Sequence, residues 1–317
     1  MVEDFNLNDP GLNGNNQQET SNKLEEKVSL SDKSGIATEN KIDNNIRGLS
    51  EQEVQNPDAI VVTVSDPKTP VIVLFGARAS GKTMTLIRLT KFLEGQGYNV
   101  VPDPIFRPDR DTHYKRMCNE FGTLVHSDYA ASGNDVMSFM LVKVIAPNGR
   151  TLCQILEAPG EHYFDADYPG RAFPAYIERI CAIPNRKTWL FIVEENWGGS
   201  QGVRDLYAKK IQQMQRRIRP QDKIIFTCHK VDQSVHFRPN GRPDVSQIFQ
   251  NIKNQYPHIF DRYANRNPLT KWAQPYNFEF VTFSAGTFNP TGDGRQVYTP
   301  GEDYYPDQLW DALKRNI

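Results

Sequence analysis

Short apolar runs, separated by polar and turn-forming residues, divide the chain from Ala59 onward. Five of them have the length and the polar borders of buried strands: AIVVTV, VIVLF, WLFIV, KIIFTC and FEFVTF. Between these runs apolar residues recur at helical spacing, at Leu86, Leu89 and Leu93 and again from Val203 to Ile218. Alternating strands and helices predict an α/β fold in which helices cover both faces of a mostly parallel sheet.

One pair of runs departs from this alternation. SFMLVKVIA and TLCQIL flank PNGR, in which Asn148 and Gly149 form a strong signal for a hairpin turn. The sequence therefore predicts one antiparallel strand, at the edge of the sheet.

The first part of the chain differs from the rest in composition. Residues 1–57 are rich in Asn, Gln, Ser, Glu and Lys and contain one aromatic residue, Phe5. Such a segment has too little apolar surface to offset the entropy of ordering it. We expect a disordered polar tail over 1–57 and one domain over 58–317.

Charge and hydropathy narrow the classes of partner. The formal net charge of -1 gives no overall attraction to nucleic acid, and no apolar run approaches the roughly 18 residues of a membrane span. The four cysteines lie far apart without a CxxC pair, which favours free thiols in a reducing compartment. We expect a cytoplasmic protein with no nucleic-acid partner and no membrane insertion.

The most specific motif is GARASGKT, which fits GxxxxGK[ST] between the run VIVLF and a helical pattern. Gly76 and Gly81 let the backbone wrap around a phosphate chain, Lys82 would reach the β- and γ-phosphates, and Thr83 would bind Mg²⁺. The backbone between the glycines would line the same site, at Ala77, Arg78, Ala79 and Ser80. The Arg78 side chain either lies along the phosphates or points to water.

Two further strand ends carry polar residues. The run LCQILEAPGEHYF places Glu157 where a carboxylate could enter a Mg²⁺ shell and Gly160 where an N–H could sense a γ-phosphate. The run IIFTCHKVDQ ends at His229, Lys230 and Asp232. Taken alone, that ending is equally typical of a strand entering water.

Together the ordered motifs GARASGKT, EAPGE, HKVD and FSAG resemble those of Ras-like, translation-factor-class P-loop GTPases over residues 68–317. That family usually has Asn-Lys-x-Asp as its fourth motif, and the His229 variant resembles the Rag branch. The chain is also compatible with the GTPases of bacterial conflict systems. The resemblance implies a Ras-like fold that binds GTP or GDP with Mg²⁺.

The resemblance also implies roles for individual residues. Asp232 would accept hydrogen bonds from N1–H and the amino group of guanine, a donor pair that adenine lacks, and the Lys230 stem would lie across the ring. The loop formed by Ser284, Ala285 and Gly286 would close on the other edge of the base.

Three positions differ from the family pattern. Glu157 stands at the place of the Mg²⁺-shell aspartate, and Glu161 at the place of the glutamine that orients the attacking water. Ala131 stands at the switch threonine, so Ser132, Ser127 or Thr123 are alternative sources of that hydroxyl. A glutamate at 161 accepts a proton from water but donates nothing to the γ-phosphate.

Other residues have two interpretations each. Arg107 and Arg110 would either neutralise charge as an arginine finger does or pair at the surface with Asp109 and Asp111. Trp197, in EENWGGSQG, belongs either to a flexible loop or to a partner contact.

These observations predict a guanine-nucleotide-binding switch that hydrolyses GTP slowly, with Glu161 and Lys82 in catalysis. An unidentified protein would act as its effector or activator. Two alternatives remain at this point: a nucleotide-locked scaffold without turnover, and a P-loop ATPase or kinase, which would leave the hairpin and HKVD unexplained.

Overall fold

A computed structural model describes residues 49–127, 139–195, 197–292 and 296–317, so Ala131 and Ser132 lie outside the described residues. Seven strands of this part form one sheet: β1 (Val71–Phe75), β2 (Asn99–Pro102), β3 (Met140–Ile145), β4 (Thr151–Glu157), β5 (Lys187–Glu194), β6 (Lys223–His229) and β7 (Glu279–Thr282). Their order is β2-β3-β4-β1-β5-β6-β7. The predicted α/β class with a mostly parallel sheet is confirmed.

The antiparallel part of the sheet is larger than expected. β3 pairs antiparallel with β4 through the predicted hairpin, but it also pairs antiparallel with β2, which forms the edge. The one reversed strand is therefore second from the edge. The sequence analysis missed β2 because its short run, NVVP, has too few residues to show a strand pattern.

Helices are α1 (Glu51–Gln55), α2 (Lys82–Gly95), α3 (Thr112–His126), α4 (Gly160–Tyr163), α5 (Ala175–Ala182), α6 (Gln201–Met214), α7 (Val245–Gln255) and α8 (Tyr304–Asn316). Every residue of β1 and β5 is buried, and since successive side chains of a strand point to opposite faces, both faces of the sheet are covered. Across the described residues, each helix is too short or too polar to cross a bilayer.

A row of aromatic side chains forms the centre of the core. Phe75, Phe191 and Phe226 are register neighbours on β1, β5 and β6, and adjacent ring centroids lie 5.1 Å apart. Tyr163, at the end of the short helix that follows β4, and Tyr263, in a 3-10 turn after Phe260, pack on this row. Tilted aromatic contacts of this kind add to area burial and hold the central strands in register.

Two N-terminal expectations are wrong. AIVVTV forms no strand, and the domain begins before residue 58: Leu49 is buried, α1 has a capping box at Ser50, and Glu53 forms an ion pair with the buried Arg107. The polar composition concealed these contacts because Leu49 and Val54 are isolated apolar residues in a polar segment. The rest of the predicted tail, residues 1–48, lies outside the described residues.

Two segments near the C-terminus were not anticipated. A separate hairpin, β8 (Gly286–Pro290) with β9 (Gln296–Pro300), follows β7, and α8 contacts α2, β6 and β7. Conversely, the apolar spacing that extends to Ile218 continues beyond the end of α6 at Met214.

Parallel strands bring their carboxyl ends to one edge of the sheet. β1, β4, β5, β6 and β7 all run in the same direction, so the segments that follow them meet at that edge. Open α/β sheets bind ligands at this place.

Candidate functional site

The loop after β1 has the backbone conformation of an anion cradle. Ala79 and Gly81 have positive φ angles of 60° and 85°, and α2 begins directly afterwards at Lys82. A side chain at Gly76 would collide with Ser80, since its Cβ would lie 2.3 Å from Oγ. The loop therefore curls closely over the N-terminus of a helix, where backbone N–H groups favour an anion.

Lys82 is buried beneath this loop. Its Nζ donates to the carbonyl oxygens of Gly76 and Ala77, each at 3.1 Å. Burial lowers the pKa of Lys82, while the negative charges of Glu157 and Glu161 oppose this. The ammonium thus lies inside the curl of the loop, beside the place that a bound phosphate chain would occupy.

Thr83, the residue after Lys82, forms a side-chain hydrogen bond with Glu157 at the end of β4. The Thr83 hydroxyl donates to Glu157 Oε1, while the buried Oε2 has no hydrogen-bond partner among the described residues. Burial raises the pKa of Glu157, against the opposing charge of Lys82. A hydroxyl beside a carboxylate with an unpartnered oxygen fits Mg²⁺, which prefers oxygen ligands and takes the others from phosphates and water. The described residues contain no group of three or more His, Cys, Asp or Glu that could hold a metal by themselves.

Gly160 lies directly against the loop of residues 76–81, which the sequence predicts to bind phosphate and which is called the phosphate-binding loop from here on. A Cβ at this position would lie 2.4 Å from Arg78 N and 2.5 Å from the carbonyl of Ala77, so the start of α4 packs on the loop backbone. Glu161 follows, half-buried and close enough to interact with Lys82. Next to it the buried His162 bonds Tyr176 through Nδ1 at 2.9 Å, and burial lowers its pKa to about 4. His162 is therefore a packed core residue.

His229 connects the end of β6 to the phosphate-binding loop. Its ring is buried and packs at a tilt on Phe283, with the ring centroids 5.0 Å apart and Nε2 3.4 Å from Thr85 Oγ1. Its Nδ1 lies so close to Gly81 that a Cβ there would approach it to 3.1 Å. Burial lowers the pKa of His229 to about 3, so the ring is neutral at physiological pH.

Lys230 and Asp232 lie on the exposed side of the same turn. Lys230 has a left-handed backbone (φ 56°), and its Nζ bonds Glu194 Oε2 at 2.7 Å and the Ala79 carbonyl oxygen at 3.3 Å. Asp232 Oδ1 accepts a hydrogen bond from Ser284 Oγ at 2.6 Å. The HKVD and FSAG motifs, about fifty residues apart in sequence, are thus joined side chain to side chain.

The β8–β9 hairpin holds the FSAG loop in place. Ala285 O accepts hydrogen bonds from Tyr298 OH at 2.7 Å and Gly301 N at 3.1 Å. Gly286 has a φ of 132° and packs so closely that a Cβ would lie 2.1 Å from Thr299 O. Ser284 is consequently held beside Asp232 by elements that the sequence analysis did not predict.

Several sequence-based interpretations change. Arg107 is buried and bonds Glu53, Asp111 and the Val61 carbonyl oxygen, so it is neither an arginine finger nor a surface residue, although its pairing with Asp111 is as expected. Arg110 is exposed, and Asp109 pairs with Lys115.

Three other residues are now located. Arg78 is exposed to solvent. Trp197 is partly buried and packs on aromatic rings of the domain, including Tyr207 at 5.2 Å. Thr123 lies within α3, and Ser127 follows its end.

Glu194 is the residue that sequence analysis missed. It ends β5 as the register partner of His229, and it is buried where it meets Lys230. The signal was present, because an acidic residue ends the apolar run WLFIV just as polar residues end KIIFTC. Its role became visible only when the two strands were placed side by side.

No protein-family model and no curated protein matches the chain. Among solved structures, it resembles nucleolar GTP-binding protein 1 from Plasmodium falciparum, with a TM-score of 0.32 and 12% identity over 71% of this chain and 80% of that one. It also resembles the signal recognition particle receptor SRb-GTP/SRX complex from Chaetomium thermophilum, with a TM-score of 0.42 and 12% identity over 79% and 99%. Because both TM-scores are below 0.5, we draw nothing about this chain's function from either likeness.

Proposed function

We propose that the chain binds a guanine nucleotide with Mg²⁺ and hydrolyses GTP slowly, as a molecular switch that depends on a protein partner for its output or activation. The observation that carries this proposal is the bond between Asp232 and Ser284 at the sheet edge that also bears the loop of Lys82 and Thr83. A carboxylate fixed in this way is suited to the two N–H donors on one edge of guanine and poorly suited to adenine.

The phosphate side of the site supports tight binding. The curled loop offers backbone N–H groups, and Lys82 Nζ lies beneath it, hydrogen-bonded to the Gly76 and Ala77 carbonyl oxygens. Thr83 and Glu157 would hold Mg²⁺, which when bound neutralises charge on the β- and γ-phosphate oxygens. Lys230 would cover the base, with its ammonium retained by the Ala79 carbonyl of the same loop.

The site has fewer groups suited to accelerating hydrolysis than to binding the nucleotide. Glu161 stands beside Lys82, where it would accept a proton from water but donate nothing to a γ-phosphate, and its charge opposes that phosphate. Arg107 does not supply an arginine finger, since it is buried in structural pairs, and Arg110 is exposed without a contact that would direct it to the phosphates among the described residues. Such a finger is worth about 10³ to 10⁵ in rate, so we expect turnover far below the typical 10 per second.

The competing function is a nucleotide-locked scaffold without turnover. Glu161 favours it, because its carboxylate donates nothing to a γ-phosphate and its charge opposes that phosphate. An ATPase is disfavoured by the Asp232 carboxylate.

Single-turnover hydrolysis of GTP without any partner distinguishes these functions. We expect the wild type to bind GTP with Mg²⁺ and hydrolyse it slowly, Lys82→Ala to abolish binding, and Glu161→Gln to keep binding with an equal or higher rate. Thermal unfolding of Lys82→Ala serves as the folding control. A fast wild type that Glu161→Gln slows a hundredfold would make Glu161 a working general base, and tighter binding of ATP than GTP would remove the guanine assignment.

A further inference from the structure

Glu194 is placed to act on the base site through another residue. It is the last residue of β5, its side chain is only 9% exposed, and its Oε2 accepts a hydrogen bond from Lys230 Nζ at 2.7 Å. The parallel register puts it beside His229, so it reaches Lys230 from the neighbouring strand. The Glu194 carbonyl oxygen accepts from Tyr256 OH at 2.9 Å, which ties this strand end to the region after α7.

Lys230 by contrast is a flexible side chain in a constrained backbone. Its φ of 56° directs it out of β6, and 42% of its side chain is exposed. A lysine side chain has many rotamers of similar energy, so an unrestrained Lys230 would sample many conformations. The bonds from Nζ to Glu194 and to the Ala79 carbonyl oxygen hold it across the space between β6 and the phosphate-binding loop.

We propose that Glu194 is a positioning residue for guanine-nucleotide binding, which holds Lys230 in the conformation where its stem covers the base. The proposal rests on the proposed function, because it requires the base to occupy the site beside Lys230 and Asp232. It goes further by assigning part of the affinity to a buried carboxylate that touches no nucleotide. Glu194 pre-organises the site, and the ordering of Lys230 is completed before the ligand arrives.

The position of the Glu194–Lys230 ion pair determines which nucleotides lose affinity when the pair is removed. A lysine stem packs on the face of any purine ring, whereas Asp232 reads the edge of the base. Removing the Glu194 charge should therefore lower the affinities for GTP, GDP and XTP by the same factor. We expect the loss of this immobilisation to lower affinity roughly three- to tenfold, which corresponds to about 0.7–1.4 kcal/mol.

Fluorescent-nucleotide titrations of four proteins test this inference: wild type, Glu194→Gln, Lys230→Met and the double variant. We expect Glu194→Gln to lose roughly three- to tenfold in affinity, with the GTP/GDP and GTP/XTP ratios unchanged. The double variant should bind no worse than Lys230→Met, because Glu194 acts only through the ammonium that methionine lacks. It also removes both charges together, so it leaves no unpaired buried carboxylate.

Glu195→Gln is the matched control. Glu195 is the next residue and is equally buried, but its Oε1 accepts from Asn251 Nδ2 at 2.7 Å and it does not contact Lys230. We expect this variant to bind like the wild type, and thermal unfolding of all five proteins checks that they fold.

The outcomes separate the two levels of the proposal. Affinity of Glu194→Gln within twofold of the wild type overturns the positioning role, and so does an equal further loss on the Lys230→Met background. A wild type that fails to bind guanine nucleotides at all overturns the proposed function instead.

Discussion

His229 and Asp232 lie three positions apart, yet their environments are opposite. His229 is buried against the phosphate-binding loop and Phe283, while Asp232 is exposed and held by Ser284. The buried residue can support the site only by packing and hydrogen bonding, whereas the exposed carboxylate can meet a ligand. One motif thus contains both a buried structural residue, His229, and the exposed carboxylate that we propose recognises the base.

The exposed carboxylate of Asp232 leads to a test of base preference. Asp232→Asn should weaken GTP binding, because the amide either faces the two guanine donors with a donor or offers a single neutral acceptor. Xanthine has a carbonyl where guanine has its amino group. The variant should therefore lose less affinity for XTP than for GTP, or bind XTP more tightly than the wild type does. Competition between GTP and XTP measures the preference, and an unchanged preference would contradict the role of Asp232.

The burial of His229 leads to a test of how folding stability depends on pH. The unfolded chain protonates His229 at its ordinary pKa near 6.5, whereas the folded protein resists protonation until about pH 3, so the unfolded state binds more protons between these values. Stability is therefore fully present above pH 6.5 and falls as the pH drops below it. The positive charges of Lys230 and Lys82 act in the same direction as burial.

His229→Asn is the comparison variant for this test. Asparagine is the residue usual at this place of the Asn-Lys-x-Asp motif, and its side chain does not titrate. Between pH 7.5 and 5, denaturant unfolding should show the wild type losing about 2 kcal/mol more than the variant. His162 is present in both proteins, so its contribution cancels. Parallel stability curves would mean that His229 is not buried as a neutral ring.

At the scale of elements, α4 and the phosphate-binding loop form one packed unit. Gly160 permits this, since any side chain there would collide with the backbone of Ala77 and Arg78. The start of α4 is therefore sensitive to anything that moves the loop. This is the coupling that a nucleotide-dependent switch requires.

Gly160→Ala tests that coupling. The added methyl should displace α4 and the Gly160 N–H, so GTP affinity should fall about tenfold or more, the loss expected for one charge-assisted hydrogen bond, with GDP affinity within about twofold of wild type. Gly170→Ala is the control, because a Cβ there meets nothing within 4 Å. If Gly160→Ala weakens GTP and GDP equally, Gly160 does not distinguish the γ-phosphate.

At the scale of the whole molecule, the segment before β1 belongs to the domain. Leu49 is buried, Glu53 pairs with Arg107, and Asp58 accepts a hydrogen bond from Ala175 N at 2.8 Å. Arg107 in turn packs over the ring of Phe139, one residue before β3. Residues 49–58 therefore contact both the β2–α3 region and α5.

Two truncations test where the domain begins. A chain starting at Leu49 should keep the melting temperature of the full chain, because the polar composition of residues 1–48 provides little apolar surface for burial. A chain starting at Asn56 loses Leu49 and Glu53, which should cost about 2 kcal/mol or more and lower the melting temperature by at least about 4 °C. Equal melting temperatures would show that residues 49–55 add nothing to the domain.

The local patterns of the sequence determined the parts of this protein whose chemistry is local. The hairpin turn at Asn148-Gly149, the central strands and the loop from Gly76 to Thr83 depend on residues that are neighbours in the chain, so spacing alone predicts them. The apolar runs that precede HKVD and FSAG likewise predicted that Asp232 and Ser284 lie at the ends of strands. Parallel pairing then accounts for their meeting at one edge of the sheet.

Only the tertiary structure decided which side chains meet across that edge. Glu194 lies 36 residues from Lys230 in sequence, Glu53 lies 54 from Arg107, and neither pair has a local signal. Arg107 looked like a surface or catalytic charge because its burial depends on a segment that composition had assigned to a tail. Burial and ion pairing between distant residues follow from the packing of whole elements, which no short window of sequence contains.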